Sequence, residues 1–371
     1  MADRMTNNHV LEIASHFDLC GEVMAIKECH SGHINRTYFI TCKNGKGTKR
    51  YTMQMINTNV FKNPDEVMEN IVNVTAHIRE GLIKEGLDPA RRTLNVVYTK
   101  DGNWGYIDSE GKYWRFYDYI EDSDNYNQVE SCEMFEKVGY AFGHFQMQLK
   151  DFDASKLHET IPNFHNTEWR FDNLLKALVE NRSGRAMNAF EELKFAIDRR
   201  DITTFVNRGI ADGTLTLRVT HNDTKLNNIM IDHETGEGIC VIDLDTVMPG
   251  SVLADFGDSI RFGASSAAED ETDLDRVYCR LDMFEAFAKG FIEGLEGSLS
   301  ESEIRALPMG ALILTYETGI RFLSDYLDGD TYFRTEYPEH NLDRARNQFK
   351  LVADMESKMA QMNAIVEKYV K

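Results

Sequence analysis

The spacing of apolar residues changes character part-way along the chain. At first it is that of short strands. Val23–His30 alternates weakly and ends at the turn-like Ser31-Gly32, and Arg36–Cys42 is rich in β-formers. Asn44-Gly45 is a hairpin signal before a returning strand at Tyr51–Ile56. A helix follows: Asn63 has the chemistry of an N-cap, Pro64 suits the first helical position, and Glu66 completes a capping-box spacing. Val67, Ile71, Val74 and Ile78 then form one apolar face. Thr93–Tyr98, Trp104–Asp108 and Tyr113–Ile120 read as further strands, punctuated by Asp101-Gly102 and Gly111.

From Tyr126 onward the helical period dominates, over 130–149, 168–181, 187–208, 272–294, 301–328 and 341–370. One β interruption stands inside it. Leu215–Thr220 is a strand, a loop follows, and Ile229–Ile231 and Ile239–Leu244 flank the turn Glu234-Thr235-Gly236-Glu237-Gly238. The expected architecture is α+β: a small antiparallel β-rich lobe with one helix (1–120), a hinge at about 117–123, and a larger, mostly helical lobe (121–371) carrying a β-hairpin.

Composition narrows the function classes. The 371 residues allow two lobes with sizeable cores, and only six prolines occur, with no low-complexity linker. A formal net charge of −20 disfavours nonspecific binding to nucleic acid or anionic membranes. The N-terminal stretch mixes Asp3, Arg4 and Glu12 among short apolar pieces, unlike a signal peptide, and no run of ~18 apolar residues suggests a membrane span. The six cysteines contain no CxxC pair, which suits reduced thiols in the cytoplasm. A monomer without nucleic-acid or membrane partners is the expectation. His30 and His33 lie three apart, but no further ligand at zinc spacing supports a metal pair.

The strongest chemical signal is His221-Asn222-Asp223-Thr224-Lys225-Leu226-Asn227-Asn228, of the form H-x-D-x-K-x-x-N, followed by Asp243 in Val241-Ile242-Asp243-Leu244-Asp245. Phosphoryl transfer from ATP needs few protein groups, because its work is positioning and charge neutralisation. One carboxylate must take the proton of the acceptor hydroxyl, a role for Asp223. An Asn and a second Asp must hold Mg²⁺ against the phosphates, roles for Asn228 and Asp243. A hairpin between them would bring all three to one end. The same polar residues at strand ends are common in loops without function, but the full string, in this strand context and after a β-rich lobe, fits a two-lobed protein-kinase-like fold. Asp245 is either a contact to a second metal ion or a helper that bonds the loop. Asp255-Phe256-Gly257 spells the metal triplet of protein kinases but lies on no hairpin end, so Asp255 is expected to be structural.

The segment Gly32-His33-Ile34-Asn35, between two strands, stands where a phosphate-covering loop would be, although it has one glycine. Thr37 follows it. Gln54 stands where protein kinases carry a phosphate-binding lysine; a neutral amide supplies no charge, so Lys225 is the expected substitute. Tyr119 and Glu121, at the hinge, complete the expected nucleotide contacts.

These residues resemble the aminoglycoside phosphotransferase-like superfamily, with its HxDxxxxN string and following metal Asp. Longer strings are similar to its N-acetylhexosamine 1-kinase branch: Val219–Asn228, Ile242–Gly250, Asp255–Ser265, Gln54–Thr58, Gly319–Asp330 and Tyr337–Leu342. That resemblance covers nearly the whole chain, least in the first twenty residues and around 180–212. It implies ATP- and Mg²⁺-dependent phosphorylation of the anomeric hydroxyl of N-acetylglucosamine or N-acetylgalactosamine. It also implies sugar contacts at His33, Arg321 and Tyr332 beside the base Asp223. Phe322 and Tyr326, four apart, read instead as a core stripe.

Overall fold

A computed structural model describes residues 7–29 and 34–370. In the first lobe, α1 (Asn7–Ala14) is followed by β1 (Glu22–Cys29), β2 (Arg36–Asn44) and β3 (Gly47–Met55), then α2 (Pro64–Lys84), β4 (Val96–Val97), β5 (Tyr106–Ile107) and β6 (Tyr113–Asp118). The strands form one antiparallel sheet in the order β1-β2-β3-β6-β4, with β5 also on β6. The register sets Thr37 opposite Gln54, and Gln54 opposite Arg115.

Each face of this sheet is covered by a helix. Val10 and Ile13 of α1 pack with Phe17, Tyr38, Ile40, Met53, Trp114 and Phe116 into a small core of their own. The apolar face of α2, from Val67 to Ile78, joins a second core that runs on into the larger lobe. Pro64 starts α2 as the sequence suggests, but the Asn63 side chain makes no capping bond. α1 is a second helix of this lobe that the apolar spacing did not show.

The larger lobe opens with β7 (Ser123–Asp124), α3 (Cys132–Gln148) and α4 (Thr167–Glu180), then α5 (Phe190–Asp198) and α6 (Phe205–Asp212). β8 (Arg218–Thr220), β9 (Ile229–Asp232), β10 (Gly238–Val241) and β11 (Met248–Gly250) come next, then α7 (Val252–Gly263), α8 (Leu281–Gly294), α9 (Glu301–Asp328) and α10 (His340–Glu367). β10 and β9 form the hairpin, β7 pairs with β9, and β11 pairs with β8.

The strands expected over Thr93–Tyr98, Trp104–Asp108 and Leu215–Thr220 shorten to Val96–Val97, Tyr106–Ile107 and Arg218–Thr220, and three further elements differ. The single helix over 187–208 is α5 and α6 separated by a 3-10 turn, where Thr203 and Thr204 hydroxyls bond back to the Arg200 and Asp201 carbonyls and compete with the helical ladder. The helix expected from 272 starts only at Leu281. The strand expected to reach Leu244 stops at Val241, so Asp243 and Asp245 lie in the following turn rather than on a strand face.

Glycines bring α3 and α8 together. A methyl group on Gly139 or Gly143 would collide with α8 backbone at Phe287 and Phe291, and one on Gly290 or Gly294 with α3 backbone at Glu136 and Tyr140. α3 in turn supports the loop after β8. Among the described residues, no helix is long and apolar enough to cross a membrane.

Candidate active site

The loop after β8 is held from beneath by one carboxylate. Asp255, on the first turn of α7, accepts the backbone N–H groups of Asn222 (2.7 Å) and His221 (2.9 Å) and the Gln146 amide from α3 (2.6 Å). The Thr224 hydroxyl donates to its carbonyl at 2.5 Å. Asp255 thus faces the loop backbone, the structural place its sequence context indicated. Asn222 takes a left-handed conformation, φ 66°, which Asn tolerates better than most residues; its amide donates to the Thr246 carbonyl at 2.8 Å. His221 is buried between the edges of Phe142 and Phe145. Its Nδ1 accepts the Asp223 N–H at 3.3 Å, so Nε2 carries the proton given to the Ile242 carbonyl at 2.9 Å.

This scaffold brings Asp223, Lys225 and Asn228 together. Lys225 Nζ lies 2.9 Å from Asp223 Oδ1, and Asn228 Nδ2 donates to Asp223 Oδ2 at 3.0 Å and to its carbonyl at 2.8 Å. Burial pushes the Asp223 carboxyl up, but the Lys225 ammonium and the Asn228 amide outweigh it and hold the group below the usual carboxylate range. Asp223 is therefore ionised at neutral pH and can accept a hydroxyl proton. Burial pulls Lys225 down, and the Asp223 and Asp258 carboxylates more than reverse it.

The Asn228 carbonyl accepts the Ile242 N–H at 2.9 Å, one step beyond the last β9–β10 pair, so Asn228 and Asp243 flank the same end of the hairpin. Asp243 sits in a left-handed conformation (φ 56°) and is exposed. Burial of its surroundings, then Asp245 and Asp223, push its carboxyl up to about 7. A carboxylate so disfavoured by its neighbours is one that a cation stabilises. Neither that carboxylate nor Asn228 Oδ1 has a protein hydrogen-bond donor among the described residues. Two oxygen donors of this kind, completed by phosphate oxygens, suit Mg²⁺.

Asp245, by contrast, is committed to protein. Arg115 Nη1 donates to its Oδ1 at 2.5 Å and Asn35 Nδ2 to its Oδ2 at 2.6 Å. Of its two possible roles, the geometry gives it that of an organiser. Asn35 also accepts the Asn57 N–H at 3.0 Å, so the residue before β2 is tied both to the 244–246 turn and to the stretch after β3. Gln54 Oε1 receives Arg115 Nε and Nη2 at 3.0 and 2.8 Å, and its amide donates to the Thr37 hydroxyl at 3.2 Å. Ile34 is exposed; Gly32 and His33 lie outside the described residues. At the hinge, Tyr119 packs edge-on against Phe39 under the Arg50 guanidinium, 4.0 Å from its ring. The Glu121 side chain pairs with Arg50, and its carbonyl accepts Arg91 Nε at 3.0 Å.

Arg321, expected from the resemblance to contact the sugar, stands among aromatic rings. Its guanidinium lies 5.6 Å from the Phe164 ring, 5.6 Å from Phe333 and 6.0 Å from Tyr332, with no carboxylate hydrogen-bonded to it among the described residues. One turn earlier on α9, the buried Glu317 pairs with His165 Nδ1 at 2.8 Å. His165 Nε2 meets the Asn222 carbonyl at 3.0 Å, which links this cluster to the base loop. Asp325 accepts the N–H groups of Thr331 (2.9 Å), Tyr332 (2.8 Å) and Phe333 (2.9 Å) and so fixes the loop bearing both rings. Phe322 and Tyr326 are buried core residues, as their spacing suggests.

Sequence reasoning missed Arg115, His165, Glu317 and Asp325. A signal existed for Arg115, the lone charge in Tyr113-Trp114-Arg115-Phe116-Tyr117, and for Asp325, a carboxylate in a helix apolar on nearly every side. Glu317 shares the signal of Asp325 on the same helix, whereas His165 carries no local pattern, and only packing pairs the two.

The chain matches the family model described as "Phosphotransferase enzyme family" over residues 25–289. It also superimposes on solved structures along nearly its whole length. An aminoglycoside phosphotransferase from Alicyclobacillus acidocaldarius gives a TM-score of 0.58 at 13% identity, over 99% of this chain and 98% of that one. A microcompartment-associated aminopropanol kinase gives 0.60 at 13%, over 96% and 99%. Spectinomycin phosphotransferase, in complex with ADP and spectinomycin, gives 0.56 at 12%, over 97% and 100%. At these identities the likeness establishes the fold: two-lobed and kinase-like.

Proposed function

Since the chain belongs to the phosphotransferase enzyme family, we propose that it transfers the γ-phosphate of ATP to the anomeric hydroxyl of an N-acetylhexosamine. Asp223 is the base: ionised at neutral pH, it orients the sugar hydroxyl and takes its proton as the bond to phosphorus forms. Lys225, on the same carboxylate, faces the charge that develops on the transferred oxygens. Asn228 and Asp243 hold Mg²⁺, which supplies charge neutralisation of the phosphates when bound. Asn35, Thr37 and Gln54 frame the nucleotide side, and Tyr119 and Glu121 its hinge. All three residues of the base and metal positions are intact and adjacent, which favours an enzyme over a nucleotide-binding pseudokinase.

The observation that carries the acceptor class is Arg321. Its donor fork has no protein acceptor among the described residues, three aromatic rings wall it, and one of them, Phe164, packs on His165, which reaches the base loop. Arg170 stands nearby; burial, and next the Arg321 charge, hold it down to about 10. Two guanidinium groups repel an ammonium acceptor, the kind that the name of the aminopropanol kinase implies. They suit a neutral sugar, whose hydroxyl or amide oxygens accept such donors and whose ring face lies against an aromatic wall. The position of transfer, O1, rests on the long strings similar to the N-acetylhexosamine 1-kinase branch.

The test is incubation with labelled ATP and a panel of N-acetylhexosamines, other sugars, choline and aminoglycosides. The expected product is an acid-labile glycosyl phosphate from N-acetylglucosamine or N-acetylgalactosamine. A 6-phosphate, or faster turnover of an amine acceptor, overturns the reading. Arg321→Ala is expected to raise the sugar KM steeply and leave that for ATP nearly unchanged, because the lost donors serve the acceptor alone.

A further inference from the structure

A kinase site without a cation on strand β3 poses a physical problem, because Gln54 cannot neutralise phosphate or metal-site charge. Lys225 does not fill that place: it is bound to Asp223, on the acceptor side. The neighbouring strand carries the answer. Arg115 lies directly across the sheet from Gln54, and its guanidinium is buried with 1% of the residue exposed. Resting on the phosphotransferase reading above, we propose that Arg115 is the positioning cation of the phosphate site: through Asp245 it holds the 244–246 turn that presents Asp243 to a metal-bound nucleotide.

The contacts divide its work. Nε and Nη2 grip Gln54 Oε1 at 3.0 and 2.8 Å, and the Gln54 amide is braced by Thr37 at 3.2 Å. Nη1 reaches across the lobe interface to Asp245 Oδ1 at 2.5 Å. Asp245 is itself 3% exposed; its other oxygen takes Asn35, and its carbonyl accepts the Thr160 hydroxyl at 3.0 Å. A buried ion pair is tolerated only when both members are satisfied, and here every contact is satisfied by residues of the site. The pair joins β6 of one lobe to the 244–246 turn of the other, so it sets both the charge beside Asp243 and the distance between lobes. Gln54 follows from this arrangement. A lysine there would set an ammonium against the guanidinium, whereas an amide oxygen accepts its fork.

Mg·ADP affinity measured by calorimetry tests the proposal, with melting curves as a control for folding. Arg115→Met is expected to lose about 10–100-fold in Mg·ADP affinity, the usual cost of a lost outer partner of a metal site, while the sugar KM stays near that of the unaltered protein. Gln54→Lys combined with Arg115→Met returns a cation from the adjacent strand and is expected to regain about tenfold. Arg115→Met with Asp245→Asn removes both buried charges. It is expected to regain the melting temperature that Arg115→Met loses but not the affinity, and it carries the test if Arg115→Met does not fold. Mg·ADP binding at full strength in either folded variant overturns the proposal, as does a failure of Gln54→Lys to restore any affinity. Were the unaltered protein neither to bind Mg·ADP nor to consume ATP, the phosphotransferase reading itself would fall instead.

Discussion

Asp223 and Asp255 are carboxylates 32 positions apart in the chain that meet the same loop from opposite sides. Asp223 faces the cleft, and replacing it by Asn keeps the Asn228 and Lys225 neighbourhood while removing the proton acceptor. The expected loss in kcat is about 10²–10⁴-fold, with ATP binding little changed; near-normal turnover would reject it as the base. Asp255 faces inward onto three N–H groups. Asp255→Ala is expected to lower the melting temperature, because it leaves buried donors unpaired. Asp243→Ala is expected to keep that temperature and lose metal-dependent nucleotide binding. The opposite pattern in these two variants would reverse the assignment of the two triplet-like sequences.

Between elements, close packing and a buried ion pair decide the geometry of the site. α3 supplies Phe142, Phe145 and Gln146 beneath the loop, and its distance from α8 is set by glycines on both helices. Gly290→Ala forces the two backbones apart, an overpacking expected to cost about 1–3 kcal/mol and to show as a lower melting temperature; an unchanged one would mean the helices slide without cost. The His165–Glu317 pair joins the base loop to α9. Burial pulls the His165 imidazole down, but Glu317 more than compensates, so it titrates above its ordinary value in the folded chain. The unfolded chain therefore loses this proton first as pH rises. The stabilisation is complete below about pH 6.5 and is lost as pH rises through the folded value. A series of denaturation midpoints from pH 6 upward is expected to fall more steeply in the unaltered protein than in His165→Gln; parallel slopes would dissociate the pair from stability.

At the scale of the whole molecule, the chain crosses between lobes once, near the hinge, yet the apolar core does not divide there. Ile71, Val74 and Ile78 of α2 share a cluster with Phe142, Phe256 and Leu323 of the larger lobe. Arg91 reinforces the crossing through the Glu121 and Asp122 carbonyls and Asp232. Calorimetry is expected to show a single unfolding transition with equal van't Hoff and calorimetric enthalpies. Two separated transitions would mean that the small core of α1 and the sheet sustains its lobe alone.

The linear sequence by itself determined the β-rich first lobe and helical second, the α2 face from Val67 to Ile78, and the string from His221 to Asn228, because periodicity and turn chemistry are local properties. It also placed Asp243 as the partner of Asn228, since a hairpin of that length returns to its own start. It overextended the 187–208 helix, where hydroxyl-to-backbone bonds at Thr203 and Thr204 outweigh an apolar spacing that looks continuous. What only the tertiary structure decided are the long-range pairings. Arg115 finds Asp245 across 130 positions, and His165 finds Glu317 across 152. A buried charge is stable only beside its counter-charge, and which residues become neighbours inside a packed core is settled by how the lobes close, not by any spacing along the chain.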